Sequence, residues 1–231
     1  MVAVLGFFLM PGWILATTGG QAEETIEIAQ TKLLSEKGST RATRYAGTNK
    51  IVTIGRKTHV AWLDSISNTM IATYDHASGQ WGRPVKVGSG TDNHGGPALT
   101  CDSRGYLHVI FGPHADVPFQ HGRSARPNDA SEWIELNAFG HHPTYPSAVC
   151  DEEDTLHVIY RGGVERGHPF KLIYQQRTSD GAWTEPRALA QAPADWKGYT
   201  HYHASIAIGA DQTPHVAYNL YYAGAAKQAG H

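Results

Sequence analysis

The sequence predicts an all-β protein, a β-propeller of four-stranded antiparallel blades, on two observations. First, the phrase His-Val-x-aromatic returns at His59–Trp62, His108–Phe111, His157–Tyr160 and His215–Tyr218. Its histidines stand 49, 49 and 58 residues apart, the length of a propeller blade rather than of a solenoid helix pair. Second, the 231 residues include 25 glycines and 12 prolines at 41% hydrophobic content, with little helical periodicity. That is length enough to bury a sizeable core between sheets.

Each strand of the blade follows in order. Pro97–Asp102 and Pro146–Asp151 begin eleven residues before their histidines and lead through the polar turns Ser103–Gly105 and Glu152–Asp154 into the repeated phrase. This is the pattern of a β-hairpin. A third strand is expected around Met70–Tyr74 or Phe170–Gln175, followed by a glycine-containing turn and then Trp81, Trp133 or Trp183. Thr178–Trp183 resembles a degenerate Asp-box of the BNR repeat class, and His76–Trp81 is a weaker echo of it. Blades bury their faces against their neighbours, so most recurring residues are read as structural. His59, His108, His157 and His215 are expected to hydrogen-bond between blades.

The expected domain plan is a signal peptide over residues 1–22 and a propeller over 23–231. Val2–Leu15 is mostly apolar and a small-residue stretch ends at Ala22, which reads as an export signal and a secreted or periplasmic location. No Lys or Arg precedes the run and Pro11-Gly12 interrupts it, so a buried N-terminal strand or a misassigned start is the competing reading. At about fourteen apolar residues it is too short to span a bilayer comfortably. Only 16 residues follow His215, against 26 from His157 to Trp183, so three full blades precede a partial fourth. Either Thr25–Ala46 supplies a closing strand or the chain is the front of a larger propeller; the second is the expectation, because three blades and part of a fourth cannot close a ring without exposed sheet edges.

A net charge of -2 leaves no nucleic-acid footprint. The expected protein is a monomer with neither nucleic-acid nor membrane partners. Cys101 and Cys150 occupy equivalent places in successive units, where a bridge is out of reach, and are read as small core residues.

Function is sought where the repeat breaks, since packing alone would keep equivalent positions alike. Each repeated aromatic leads into a connection, Leu63–Ser65, Gly112–His114, Arg161–Gly163 or Asn219–Tyr221, and only the second carries a histidine. The entrances to the inner strands also differ: Thr91–Pro97, His141–Pro146 and Tyr199–His203. A rim of His, Tyr and Asn suits proton transfer and hydrogen bonding to sugar hydroxyls.

Asp92-Asn93-His94-Gly95-Gly96-Pro97, then His114 twenty residues after His94, Tyr160 in the next blade and Arg177 seventeen beyond form an ordered set. Over roughly residues 45–222 it resembles the ulvan lyases of the BNR-repeat, seven-bladed propeller type. The resemblance implies β-elimination on an acidic polysaccharide, an algal sulfated polymer of rhamnose and uronic acid, giving unsaturated uronyl oligosaccharides. It implies His94, Tyr160 and Arg177 as catalytic residues and His114, Asn93 and Tyr221 as substrate-binding ones. It implies no cofactor for catalysis and a structural metal, zinc or calcium. No Cys-x-x-Cys or His-x-x-x-His spacing supplies a ligand set.

The chemistry accounts for these residue types. Removing the C5 proton of a uronate piles charge beside an existing carboxylate, and a fixed guanidinium offsets it. A base takes the proton and an acid serves the departing O4; histidine can do either, and tyrosine can when a nearby cation lowers its pKa. Each residue also has a structural reading: His94 can end a turn, and His114 can be an ordinary loop histidine. Tyr160 stands where Trp62, Phe111 and Tyr218 stand, which on pattern alone makes it a core aromatic, and Arg177 can be a surface arginine. A sialidase-like glycoside hydrolase would need three arginines converging on the substrate carboxylate and a Tyr-Glu nucleophile pair, and the arginines here do not fall at equivalent blade positions; a non-catalytic carbohydrate-binding propeller would need no proton-transfer set.

Overall fold

A computed structural model describes residues 2–6, 30–45, 47–114, 117–163, 170–193 and 200–222. Over these residues the chain forms successive antiparallel blades. Blade one comprises β3 (Ile51–Ile54), β4 (Lys57–Leu63) and β5 (Asn68–Asp75), with its outer edge divided between β6 (Gln80–Trp81) and β7 (Val85–Ser89), both paired to β5. Blade two runs β8 (Ala98–Cys101), β9 (Leu107–Phe111), β10 (Phe119–Arg126) and β11 (Asp129–Phe139); blade three runs β12 (Thr144–Cys150), β13 (Leu156–Gly162), β14 (Lys171–Arg177) and β15 (Arg187–Gln191). A fourth begins with β16 (Thr200–Ile208) paired to β17 (Pro214–Tyr222). The expected propeller blades are present, three with all four strands and one with two.

Ahead of them β1 (Val2–Gly6) pairs with β2 (Gln30–Ser35). Residues 7–29 lie outside the described residues, and so does the expected cleavage point after Ala22. Among the described residues no helix is long and apolar enough to cross a membrane.

Burial follows the repeat. Ala98, Ile110, Phe119, Phe139, Val158, Tyr160 and Ile173 pack as one cluster between blades two and three, and Ala61, Ile71, Leu99, Val109 and Phe111 as another between blades one and two. The inner strands meet at Asn49, whose Nδ2 donates to Leu99 O at 2.6 Å and Ala148 O at 2.7 Å while its Oδ1 accepts from the Ala148 amide at 3.2 Å. One side chain thus ties three blades together.

The hairpin turns share one device. Asp102 Oδ1 accepts from the Tyr106 amide, and Asp151 Oδ1 from the Thr155 amide, each at 2.8 Å. Gly105 at φ 83° and Asp154 at φ 63° supply the left-handed turn residue, a conformation that glycine adopts freely and Asp tolerates.

The repeated histidines need correcting in part. His59 does bond between blades, Nε2 to Asn128 Oδ1 at 2.8 Å. His108 and His157 bond within their own blades: His108 Nδ1 meets His121 Nε2 at 2.9 Å, and His157 meets Tyr174 OH at 2.6 Å and Asp151 Oδ2 at 3.0 Å. His215 is exposed on the two-stranded sheet. The turn Asp and the repeated His stand six residues apart, close enough to close each hairpin on itself. Asn219–Tyr221, expected in a connection, remains within β17. Cys101 and Cys150 are free and partly buried, and burial raises both thiols.

Candidate active site

The loop Thr91–Pro97 enters β8, and Gly112–His114 leaves the neighbouring β9 at the same end of the sheet. The Thr91 amide donates to Gly112 O at 2.9 Å. A Cβ on Gly95 would lie 2.7 Å from that carbonyl oxygen, closer than real Cβ contacts allow. The first glycine of Asn-His-Gly-Gly therefore lets the two loops touch backbone to backbone, which brings His94 to His114.

Between them sits Asp92. Its Oδ1 accepts from the His94 backbone amide at 2.7 Å, fixing the turn, and its Oδ2 accepts from His94 Nδ1 at 3.0 Å and His114 Nδ1 at 2.7 Å. The two imidazoles stack with centroids 3.9 Å apart at 19°, and their side chains are 23% and 32% exposed. An ionised carboxylate only accepts hydrogen bonds, so both histidines present Nδ1–H to it and turn Nε2 away from it. Burial would raise the Asp92 carboxyl, but hydrogen bonds from the His94 amide and the two imidazoles outweigh it and hold it below its ordinary value. Burial is the largest influence lowering the His94 imidazole; its bond to Asp92 opposes this, and the charges of His114 and Arg41 lower it further. At neutral pH His94 is therefore an unprotonated base with its tautomer set.

Aromatic rings wall this centre. Tyr145 lies 6.4 Å from His94 between centroids, 4.5 Å from Tyr45 and 5.4 Å from His203, and the Arg161 guanidinium carbon lies 4.8 Å above its ring. Tyr145 and Tyr45 take left-handed φ values of 58° and 69°, rare for bulky residues and characteristic of backbone held in place for a site.

The set expected from sequence is thus only partly assembled. His94 and His114 meet, and Asn93 lies beside them with a long 3.5 Å bond to Thr40 Oγ1. Tyr160 is 1% exposed, packs edge-on against Phe119 at 5.4 Å and donates its hydroxyl to Gln175 Oε1 at 2.9 Å. Burial pushes its phenol pKa far up, the reverse of what a proton shuttle needs, so its place is that of a core aromatic. Arg177 stands opposite Leu156 at the far end of blade three, whereas the end that borders the site is marked by Thr144 opposite Arg161. The five residues from Leu156 to Arg161 put those ends about 17 Å apart. Arg177 lies over the Asp-box turn, where a Cβ on Gly181 would come within 2.8 Å of its Nη2. Tyr221 is 46% exposed on β17, in the fourth blade.

In the sequence Asp92 stands inside the motif with no role marked for it. A carboxylate two residues before a histidine was the available signal. Tyr145 and His203 fall in the inner-strand entrances that were marked as a rim, but nothing local distinguished them from their neighbours.

Asp92, His94 and His114 also bring one carboxylate oxygen and two ring nitrogens within 4.8 Å of one another, a donor set able to take a divalent cation. A closed structural zinc site needs four converging ligands. This trio is partly exposed and does not fit that group, and among the described residues Cys101 and Cys150 belong to no such cluster.

The successive four-stranded antiparallel blades make this a propeller-type all-β protein. The family described as BNR repeat-containing family member matches residues 57–227, and the chain belongs to it. It is 27% identical over 148 residues to a PL25 ulvan lyase of Pseudoalteromonas sp. (strain PLSV), covering 54% of this chain and 30% of the relative. It is likewise 27% identical over 155 residues to an ulvan lyase of Nonlabens ulvanivorans, covering 56% and 32%. The chain spans about a third of the length of the curated relatives it matches. Among solved structures, a PL25 ulvan lyase bound to -[GlcA(1-4)Rha3S]- superposes with TM-score 0.70 at 21% identity, over 82% of this chain and 48% of that one. The polysaccharide lyase Uly1 superposes at 0.53 with 12% identity. These likenesses support the blade architecture.

Proposed function

We propose that this chain is part of a secreted or periplasmic polysaccharide lyase that cleaves a uronate-containing sulfated polymer of the ulvan type by β-elimination. The observation that carries the reading is Asp92 Oδ2 accepting from both stacked imidazoles, together with similarity to relatives named ulvan lyases. His94 Nε2 takes the C5 proton of the uronate, with Asp92 orienting the ring and stabilising the imidazolium that forms. The electron pair moves into the C4–C5 bond as the C4–O4 bond breaks. His114, sharing the same carboxylate, is placed to hand a proton to the departing O4. The product is an unsaturated uronyl end. Acidic polysaccharide is the partner, and the apolar run Val2–Leu15 supports export.

The test is incubation of the protein with ulvan while ultraviolet absorbance is followed. Rising absorbance from the conjugated product is expected. Reducing ends without absorbance would establish a hydrolase instead, and binding without either would establish a carbohydrate-binding propeller.

A further inference from the structure

Elimination beside a carboxylate requires a cation at the reacting centre, and Arg177 lies at the other end of its blade. A different arginine, Arg41, hydrogen-bonds into the aromatic wall of that centre. The segment between β2 and β3 runs along the entrance of blade one as a strap: the Ser39 amide donates to Leu63 O at 2.9 Å, the Leu63 amide to Ala42 O at 3.3 Å, and the Ala61 amide to Lys50 O at 2.8 Å. Buried Lys50 fastens the strap from within, its Nζ donating to Tyr45 O at 3.1 Å and Thr48 O at 2.9 Å. This places Thr40-Arg41 beside Asn93-His94, where Asn93 reaches Thr40.

We propose that Arg41 is the clamp for the uronate carboxylate at the Asp92–His94–His114 centre, a specificity-determining residue contributed by the strap rather than by the blades. The inference rests on the lyase reading above.

Three observations support it. Arg41 Nη1 donates to Tyr45 OH at 2.8 Å, and Tyr45 packs on Tyr145 at 4.5 Å, which borders His94. The guanidinium is therefore aimed along the aromatic wall of the site. A guanidinium offers five N–H donors; the bond to Tyr45 uses one, and among the described residues no carboxylate pairs with Arg41. The side chain is half-buried, so the remaining donors can meet a planar carboxylate in the two-bond geometry that arginine favours. Its charge also reaches His94, whose imidazole it helps to keep unprotonated. Arg41 precedes residues 57–227, the span matched by the BNR repeat-containing family. The clamp thus lies outside the matched repeat, and the period that reveals the blades carries no trace of it.

The test uses titration calorimetry in a His94→Ala background, which stops turnover. Two ligands are compared, a uronate-containing ulvan tetrasaccharide and the same oligosaccharide with its carboxyls reduced to alcohols. Arg41→Ala is expected to weaken binding of the uronate form tenfold or more and to leave the reduced form within about twofold; Arg41→Lys should recover part of the loss. Circular dichroism melting confirms that each variant folds. Equal loss on both ligands, or loss on neither, overturns the clamp. If the parent protein binds uronate through Arg41 yet yields no unsaturated product from any uronate polymer, the lyase reading fails and the clamp stands. If product forms while Arg41→Ala binds both ligands like its parent, the clamp fails and the lyase stands.

Discussion

Replacing Asp92 by Asn probes the centre most directly, because one oxygen, Oδ2, organises both histidines at 3.0 and 2.7 Å. The amide is nearly the same size but uncharged, and its NH2 group donates where the carboxylate accepted. If that group faces His94, the imidazole must turn Nδ1 into the acceptor and put its proton on Nε2, which removes the lone pair that takes the C5 proton. General acid–base assistance of this kind contributes about 10² to 10⁴ in rate, so turnover should fall by about that factor. Stability should change little. Charge-assisted bonds contribute about 1.5–3 kcal/mol when sheltered, but the Asp92 side chain is 39% exposed and solvent screening reduces the effect to about 1 kcal/mol. The assay pairs initial rates on ulvan, followed by ultraviolet absorbance, with nitrogen-15 spectra of the imidazoles, which read the tautomer directly. A variant that keeps its rate within a few-fold, with both rings still protonated at Nδ1, would refute the assignment of Asp92 and of the His94 base.

Tyr160→Phe should leave turnover within a few-fold but cost about 1–3 kcal/mol of stability in urea unfolding, since it strips Gln175 Oε1 of its buried donor; Arg177→Ala should likewise spare turnover. Asn49→Ala removes three hydrogen bonds joining the inner strands and should lower unfolding free energy by about 2–4 kcal/mol with its relative rates on different polymers unchanged. His121 is fully buried and its pKa is held well below the ordinary value, by burial first and then by His108 and nearby arginines. Its unfolded form gains a proton before its folded form does, so stability present above about pH 6.5 is lost as pH falls below it, by at most about 1.4 kcal/mol per pH unit. Urea unfolding on either side of that pH should show this slope, and His121→Asn should flatten it by one proton.

The blades were legible because a strand's place in a propeller is set by period and by local turn chemistry, both of which lie along the chain. The runs Pro97–Asp102 and Pro146–Asp151 became β8 and β12 within one residue at each end, except that β12 starts two residues early, at Thr144. Asp180 and Gly181 formed the turn that the Asp-box pattern implied, with Gly181 at φ 95° and its amide donating to Thr178 O at 2.8 Å. His94 and His114 were legible as a pair because each departs from its counterparts in the other units. Tyr160 was ambiguous for a physical reason: it recurs with Phe111, and pattern alone made it core. The structure takes that side, turning its ring onto Phe119 and its hydroxyl to Gln175.

What the chain determines by itself is therefore which segments become strands, where hairpins turn and which positions differ between blades. Hydrogen-bonding pattern, side-chain alternation and turn propensity act over a few residues and recur with the repeat. Which side chains share a site is decided only when inner strands from separate blades converge and a strap from outside the repeat crosses their entrances. Asp92 reaches His114 across 22 positions of sequence, and Arg177, close to Tyr160 along the chain, is carried to the opposite end of its blade by the reversal between β13 and β14. Distance in an antiparallel blade depends on strand direction as much as on spacing, and that direction pairs with a partner only in the folded protein.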